Sequence, residues 1–247
     1  MALQTELESQ GVWLFRWRSY LPFAFVPVLA VALIGMQRWP FDSHSFHELW
    51  EYVCLGISAS GLFIRAFVVG YVPAGTSGRN TRQQVAESLN TSGIYSVVRH
   101  PLYLGNCLIV LGAMMVPFEW WLPVLYVMGF WLYYERIMYA EEAFLRRKFG
   151  AEFDHGAAET PAFVPRLSGW RSATSPFSFR NVLKREYTGM LVVVLLHVSI
   201  EILEHAVIEN QVVIDSFWGT LLVCGVAAYL ALRTLKRRTF LLETPGR

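Results

Sequence analysis

The chain has 247 residues, of which 54% are hydrophobic and only 16% are charged, against roughly 45–50% and about 25% in soluble domains. With 15% aromatic residues and a mean hydropathy of +0.37, the composition excludes disorder, collagen-like repeats and secreted disulfide scaffolds, and it points to an integral membrane protein. A net charge of +2 is too small for a nucleic-acid binder.

In chain order, residues 1–10 are acidic and lack a cleavage site after an apolar stretch, which predicts a cytosolic start and not a signal peptide. Six segments then approach the roughly 20 apolar residues that a spanning helix needs: 20–37, 50–72, 102–118, 120–139, 187–208 and 212–233. The expected fold is an all-α, multi-span transmembrane helix bundle of about six spans. Only Glu119, beside Pro117 and ahead of Trp120 and Trp121, parts the third span from the fourth. That spacing predicts a tight helical hairpin with its tip at an aromatic interface. Cys54, Cys107 and Cys224 each sit in an apolar run and read as small hydrophobes, and no CxxC suggests zinc.

Eighteen of the 21 Lys and Arg residues fall on one side of this topology, and only Arg38 falls on the other. The bias places both termini and the loop 140–186 in the cytosol, with a bacterial inner membrane as the default location.

Chemistry concentrates in two stretches. Residues 90–106 read NTSGIYSVVRHPLYLGN. Pro101 disfavours helix at His100 and can open one at its own first turn, which presents Arg99 and His100 beside unsatisfied backbone N–H groups. By itself R-H-P also suits a membrane-edge anchor. The second stretch, 133–153, reads YYERIMYAEEAFLRRKFGAEF. The hairpin returns the chain to the same face, so the two stretches are expected to be neighbours. Glu135 at the end of an apolar run is costly unless paired or hydrated. Glu142 and Arg146, at i,i+4, read as a solvated surface pair, and Glu141 less readily so.

The ordered motifs are Gly93, Ile94 and Tyr95; Arg99, His100, Pro101, Tyr103 and Gly105; Glu141, Glu142 and Leu145; Phe149 and Gly150; and Val164 and Pro165. Together they resemble the isoprenylcysteine carboxyl methyltransferase and phospholipid methyltransferase superfamily of membrane enzymes, over about a third of the chain (89–166). The resemblance implies S-adenosylmethionine bound at the cytosolic face and a membrane-embedded lipid or prenyl-type acceptor. It assigns His100, Tyr103, Glu141 and Leu145 to the cofactor, with the backbone at Gly105 allowing close approach. The Phe149–Gly150 and Val164–Pro165 positions would fold the following loop over the site. Two positions depart from the family pattern: Ile137 stands where prenylcysteine enzymes carry an Arg, with Arg136 next to it, and Phe153 stands where Tyr is usual.

Sulfonium is already an activated leaving group, so methyl transfer mainly requires alignment and exclusion of water. Arg65, Arg99 and Arg136 are the expected holders of a carboxylate or phosphate acceptor, since guanidinium offers a bidentate fork. An amine acceptor must lose a proton. Arg65 also suits snorkelling towards the cytosol. The loop 73–90 joins small polar residues to Arg79 and Arg82 and suits either a phosphate clasp or a solvated connector.

In the fifth span His197, Glu201, Glu204 and His205 share about a 100° arc of one helix. They suit a metal, a polar wall of the acceptor cavity or an inter-helix network. A metal needs further ligands, and no second His-rich helix is apparent. The expected organisation is a methyltransferase-like core over 1–186 followed by a helix pair over 187–247. A non-catalytic membrane partner, or a reductase sharing the fold, is the alternative.

Overall fold

The computed structural model describes residues 2–73 and 86–244, and among these it is an all-α bundle with no strand. Its helices are α1 (Leu3–Trp17), α2 (Val26–Gly35), α3 (His44–Tyr71), α4 (Pro101–Met115), α5 (Trp121–Phe149), α6 (Ala151–Glu159), α7 (Phe179–Ile208) and α8 (Ser216–Arg238). Most of the loop 73–90, including Arg79 and Arg82, lies outside the described residues.

All six expected segments lie on helices, but they are unequal as spans. α3, α7 and α8 are long and apolar enough to cross a membrane, and a fourth span arises if the bent pair Leu3–Trp17 and Leu21–Gly35 counts as one. The 87° bend in that pair falls at residues 18–20, where Pro22 has no N–H to donate to the preceding turn and so stops α1 from continuing. α4 has 15 residues, about 22 Å at 1.5 Å per residue, which is short of a hydrocarbon core near 30 Å. α5 runs past the expected end of its span to Phe149, and its charged last turns lower its overall apolarity.

Residues 3–10 form the first half of α1, which lies along α5. A Cβ on Gly11 would come 2.0 Å from the Arg136 carbonyl oxygen and 2.7 Å from Ala140 Cβ, so only glycine allows this approach. Gln10 accepts from Arg136 Nε at 2.8 Å, and Phe15 is buried. Polar residues interrupt the apolar pattern of α1, which is why it does not read as a span.

The hairpin forms as expected. Phe118 adopts a positive φ of 56° at its tip, and Trp50 Nε1 donates to the Met115 carbonyl at 2.8 Å. Small residues bring α3 and α4 together: Gly61 faces the backbone of Gly105, and Gly112 faces Ser58 and Cys54. The apolar core lies between these helices and α5, around Leu122, Tyr126, Phe130 and Ile137. α7 starts at the Ser178 cap and is tied to the end of α3 by Asn181 Nδ2, which donates to the Val69 carbonyl at 2.7 Å. α8 packs on α7 and leaves most of its surface, including Val223 and Leu230, to the surroundings.

Candidate functional site

Pro101 begins α4, with His100 non-helical before it (φ −117°, ψ 58°). The segment carrying Arg99 and His100 is then pinned by the loop that follows α6. Arg99 N donates to the Pro161 carbonyl and His100 N to the Ala162 carbonyl, both at 3.0 Å. Further along, Arg166 N donates to the Val97 carbonyl at 2.9 Å, and Gly93 (φ +60°) bridges to Arg171. The loop after the fourth expected span therefore docks on the R-H-P segment through its backbone. Gly150 (φ +56°) supplies the turn that ends α5, whereas the Val164 and Pro165 side chains are exposed.

The two motif stretches meet as the hairpin requires. Tyr103 Oη donates to Glu141 Oε2 at 2.9 Å, and His100 Nδ1 lies 3.6 Å from that oxygen. The His100 and Tyr103 rings stack with centroids 5.6 Å apart, and Tyr103 also packs on Tyr134.

Glu142 is not the solvated partner of Arg146. Its Oε1 accepts from Arg99 Nε at 2.9 Å and meets His100 Nε2 at 3.0 Å, while Arg146 pairs with Asp154. Consecutive residues point about 100° apart on a helix, yet both carboxylates reach this end of the bundle because α5 faces α4 there. The E-E pair opposite an Arg that enters a packed loop is the signal that could have found Glu142.

Burial works against the Glu142 carboxylate, but the hydrogen bond and charge of His100, followed by those of Arg99, outweigh it and hold its carboxyl below the ordinary range. Because the folded value lies below the unfolded one of about 4.3, the stabilisation is present at neutral pH and is lost as pH falls through the lowered value. Acidification from about pH 7 to about pH 3.5 should therefore lower the thermal midpoint of the wild type more than that of Glu142→Gln, measured in detergent.

A cavity of about 1020 Å³ begins at this polar end, where Tyr95, Arg99, His100, Tyr103, Glu141 and Glu142 line it. It continues between α2, α4, α5 and α7 along Leu29, Ile109, Met114, Tyr126, Phe130 and Leu196. Phe23 and Val26 line it while remaining 67% and 51% exposed, so it opens sideways at the outer face of the bundle.

Of the expected cofactor residues, His100, Tyr103, Glu141 and Leu145 line this cavity. Gly105 does not: a Cβ there would meet Arg65 Cγ at 2.6 Å and the Gly61 carbonyl at 2.8 Å, so its smallness serves helix packing and the passage of Arg65. The three expected acceptor holders separate. Arg65 lines the cavity but is gripped bidentately by Glu186 at 2.9 Å, with Nη1 on Asn106 Oδ1 at 2.6 Å; it does not simply snorkel. Arg99 lines the cavity with its guanidinium on Glu142 and the Ala157 and Thr160 carbonyls. Arg136 lies outside the cavity, because its helical phase turns it towards α1. Glu135 is exposed on the outside of α5. Glu186 was legible only as the acid that opens the fifth apolar run. His197, Glu201, Glu204 and His205 do not wall the cavity; Val192 and Leu196 of α7 do.

Residues 73–152 match the phospholipid methyltransferase family. The nickel-cobalt-cadmium resistance protein NccN of Alcaligenes xylosoxydans xylosoxydans is 35% identical over 73% of this chain and 81% of its own length. The cobalt-zinc-cadmium resistance protein CzcN of Cupriavidus metallidurans is 34% identical over 64% of this chain and 66% of its own. The protein-S-isoprenylcysteine O-methyltransferase of Schizosaccharomyces pombe is 26% identical over 55% of this chain and 58% of its own. No solved structure gives a significant match. The family model falls on the segment that carries the R-H-P and E-E motifs, and the relatives extend the likeness well beyond it, so the chain belongs to the isoprenylcysteine carboxyl methyltransferase and phospholipid methyltransferase superfamily of integral membrane proteins.

Proposed function

We propose that the chain moves a methyl group from S-adenosylmethionine to a lipid or prenyl-type acceptor that enters from the bilayer. The observation that carries this reading is one continuous cavity that joins a polar end at Glu141, Tyr103 and His100 to an apolar chamber open at the side. Its volume of about 1020 Å³ is at the upper end of the range for one small ligand, which suits two reactants held together. The donor set fits the cofactor: a carboxylate favours a cationic amine and sulfonium, and stacked aromatic rings suit a flat base. When bound, S-adenosylmethionine supplies a methyl group already activated on sulfonium.

The chain's own residues bind, orient and exclude water. His100, Tyr103, Glu141 and Leu145 hold the cofactor, and the loop docked on Arg99 and His100 closes the polar end. Arg65 and Arg99 act by fixing Glu186 and Glu142, since an oxyanion acceptor would have to displace those carboxylates. Arg136 takes no part. Residues 1–186 form the methyl-transfer core, and the helix pair 187–247 adds the wall formed by Val192 and Leu196. The excess of Lys and Arg on one side orients both termini to the cytosol of a bacterial inner membrane.

The test is incubation of the detergent-purified chain with methyl-labelled S-adenosylmethionine and a bacterial lipid extract. Label is expected in the organic phase; a folded chain that shows neither saturable cofactor binding nor lipid labelling overturns the reading. The names of the two bacterial relatives favour a second reading at the level of the cell, in which this activity serves divalent-metal resistance. A strain that lacks the gene should then be more sensitive to nickel, cobalt or cadmium, and the wild-type gene should restore growth.

A further inference from the structure

A second polar cluster lies at the other end of α3 and α7, away from the cavity. His47 and Glu51, one turn apart at the start of α3, face Glu201, Glu204 and His205 in the last turns of α7. None of the five is more than 3% exposed. His47 Nε2 lies 3.1 Å from Glu204 Oε2 and 3.9 Å from Glu51 Oε1, and Glu201 Oε1 lies 3.3 Å from His205 Nε2. Trp218 Nε1 donates to Glu51 Oε2 at 3.3 Å. Among the described residues, the ion pairs of these three carboxylates run only to histidines.

Two observations set this cluster apart from an ordinary inter-helix network. First, three carboxyl groups in one buried pocket cannot all be ionised unless a positive charge stands among them. Second, among the described residues, His47 Nδ1 and Glu204 Oε1 are buried here without a hydrogen-bond partner, and Glu201 Oε1 and His205 Nε2 face each other at 3.3 Å without forming a hydrogen bond. A buried acceptor without a partner costs about 1–3 kcal/mol. An ion bound among these side chains meets the charge and offers Glu204 Oε1 the partner it lacks.

We propose that His47, Glu51 and Glu204 bind one divalent first-row transition-metal ion, with Glu201 and His205 beside it. One ligand atom from each of the three lies within 4.8 Å of the others. Ligands about 2.0–2.1 Å from one tetrahedral ion are about 3.3 Å apart, so a closure of at most about 1.5 Å completes the site. Mixed imidazole and carboxylate ligands suit zinc, cobalt or nickel better than calcium or magnesium, which take oxygen alone. The second helix that a metal on α7 requires is α3. Access is also present: His205 belongs to an outer trio with His44 and Asp215, whose side chains are 39% and 31% exposed. An ion arriving at this surface meets ligands before it reaches the buried ones.

The test uses the full chain in detergent, stripped with a chelator and dialysed against zinc or cobalt chloride. About one ion per chain should remain bound, the cobalt form should show the visible absorption of a low-symmetry imidazole-carboxylate site, and the ion should raise the thermal midpoint. Glu204→Gln and His47→Gln should each weaken binding more than about tenfold and abolish the thermal shift, while His155→Ala, an exposed histidine elsewhere, leaves both unchanged. If a variant fails to fold, the wild-type stoichiometry and cobalt spectrum decide. No ion bound to the folded wild type, a spectrum of hydrated cobalt only, or binding that survives both substitutions overturns the proposal. None of these readouts involves methyl transfer, so this proposal and the methyltransferase reading stand or fall separately.

Discussion

Glu141→Ala is expected to weaken S-adenosylmethionine binding about 10- to 100-fold, the equivalent of about 1.5–3 kcal/mol for lost hydrogen bonding to a charged group. Glu141 accepts from Tyr103 at 2.9 Å and stands 3.6 Å from His100, so its removal takes away both a carboxylate and the anchor of the Tyr103 hydroxyl. Equilibrium binding of the labelled cofactor to purified protein measures the loss. Glu141→Gln separates the two contributions: it keeps an acceptor for Tyr103 but removes the charge, so it should fall between the wild type and the alanine variant. Arg136→Ala should bind as the wild type does, because Arg136 faces α1 and not the cavity. An unchanged affinity in Glu141→Ala would remove the proposed cofactor site from this end of the cavity.

Adding one methyl group at Gly61 should damage the protein more than removing a whole side chain from its surface. A Cβ at Gly61 would come 2.4 Å from the Gly105 carbonyl oxygen, 2.8 Å from Ile109 N and 2.9 Å from Leu108 Cβ. Two of these are backbone atoms of α4, so the helix itself must move. Overpacking of this kind costs about 1–3 kcal/mol, a large share of a total stability of about 5–15 kcal/mol. It also shifts Tyr103, which α4 carries into the cavity. Gly61→Ala should therefore lower the thermal midpoint and weaken cofactor binding together. Gly56→Ala is the matched control on the same helix: a Cβ there meets nothing within 4 Å. That change should be neutral or stabilise by up to about 1 kcal/mol through helix propensity.

The sequence by itself determined the helical class, the six apolar segments and the hairpin, because apolar run length and Pro or Glu punctuation act locally. It also determined that the R-H-P and E-E stretches meet, since a tight hairpin leaves them no other place. Length alone did not decide which apolar segments are full spans: α4 is short, and the chain bends sharply just ahead of Pro22 between α1 and α2.

Only the tertiary structure decided which partner each charged residue takes. Glu142 leaves Arg146, four residues away, for Arg99 and His100; Arg65 finds Glu186 across 121 residues; and Arg136 turns away from the cavity by the phase of α5. Gly105 likewise reads as a point of approach for a ligand until Gly61 and the stem of Arg65 are seen to fill that space. His47 and Glu51 sit in an unremarkable polar start to α3, and Glu201, Glu204 and His205 sit on α7. Periodicity reports the face of a single helix, whereas an ion pair or a metal site depends on two faces brought into register, and that register is set by the packing of whole helices.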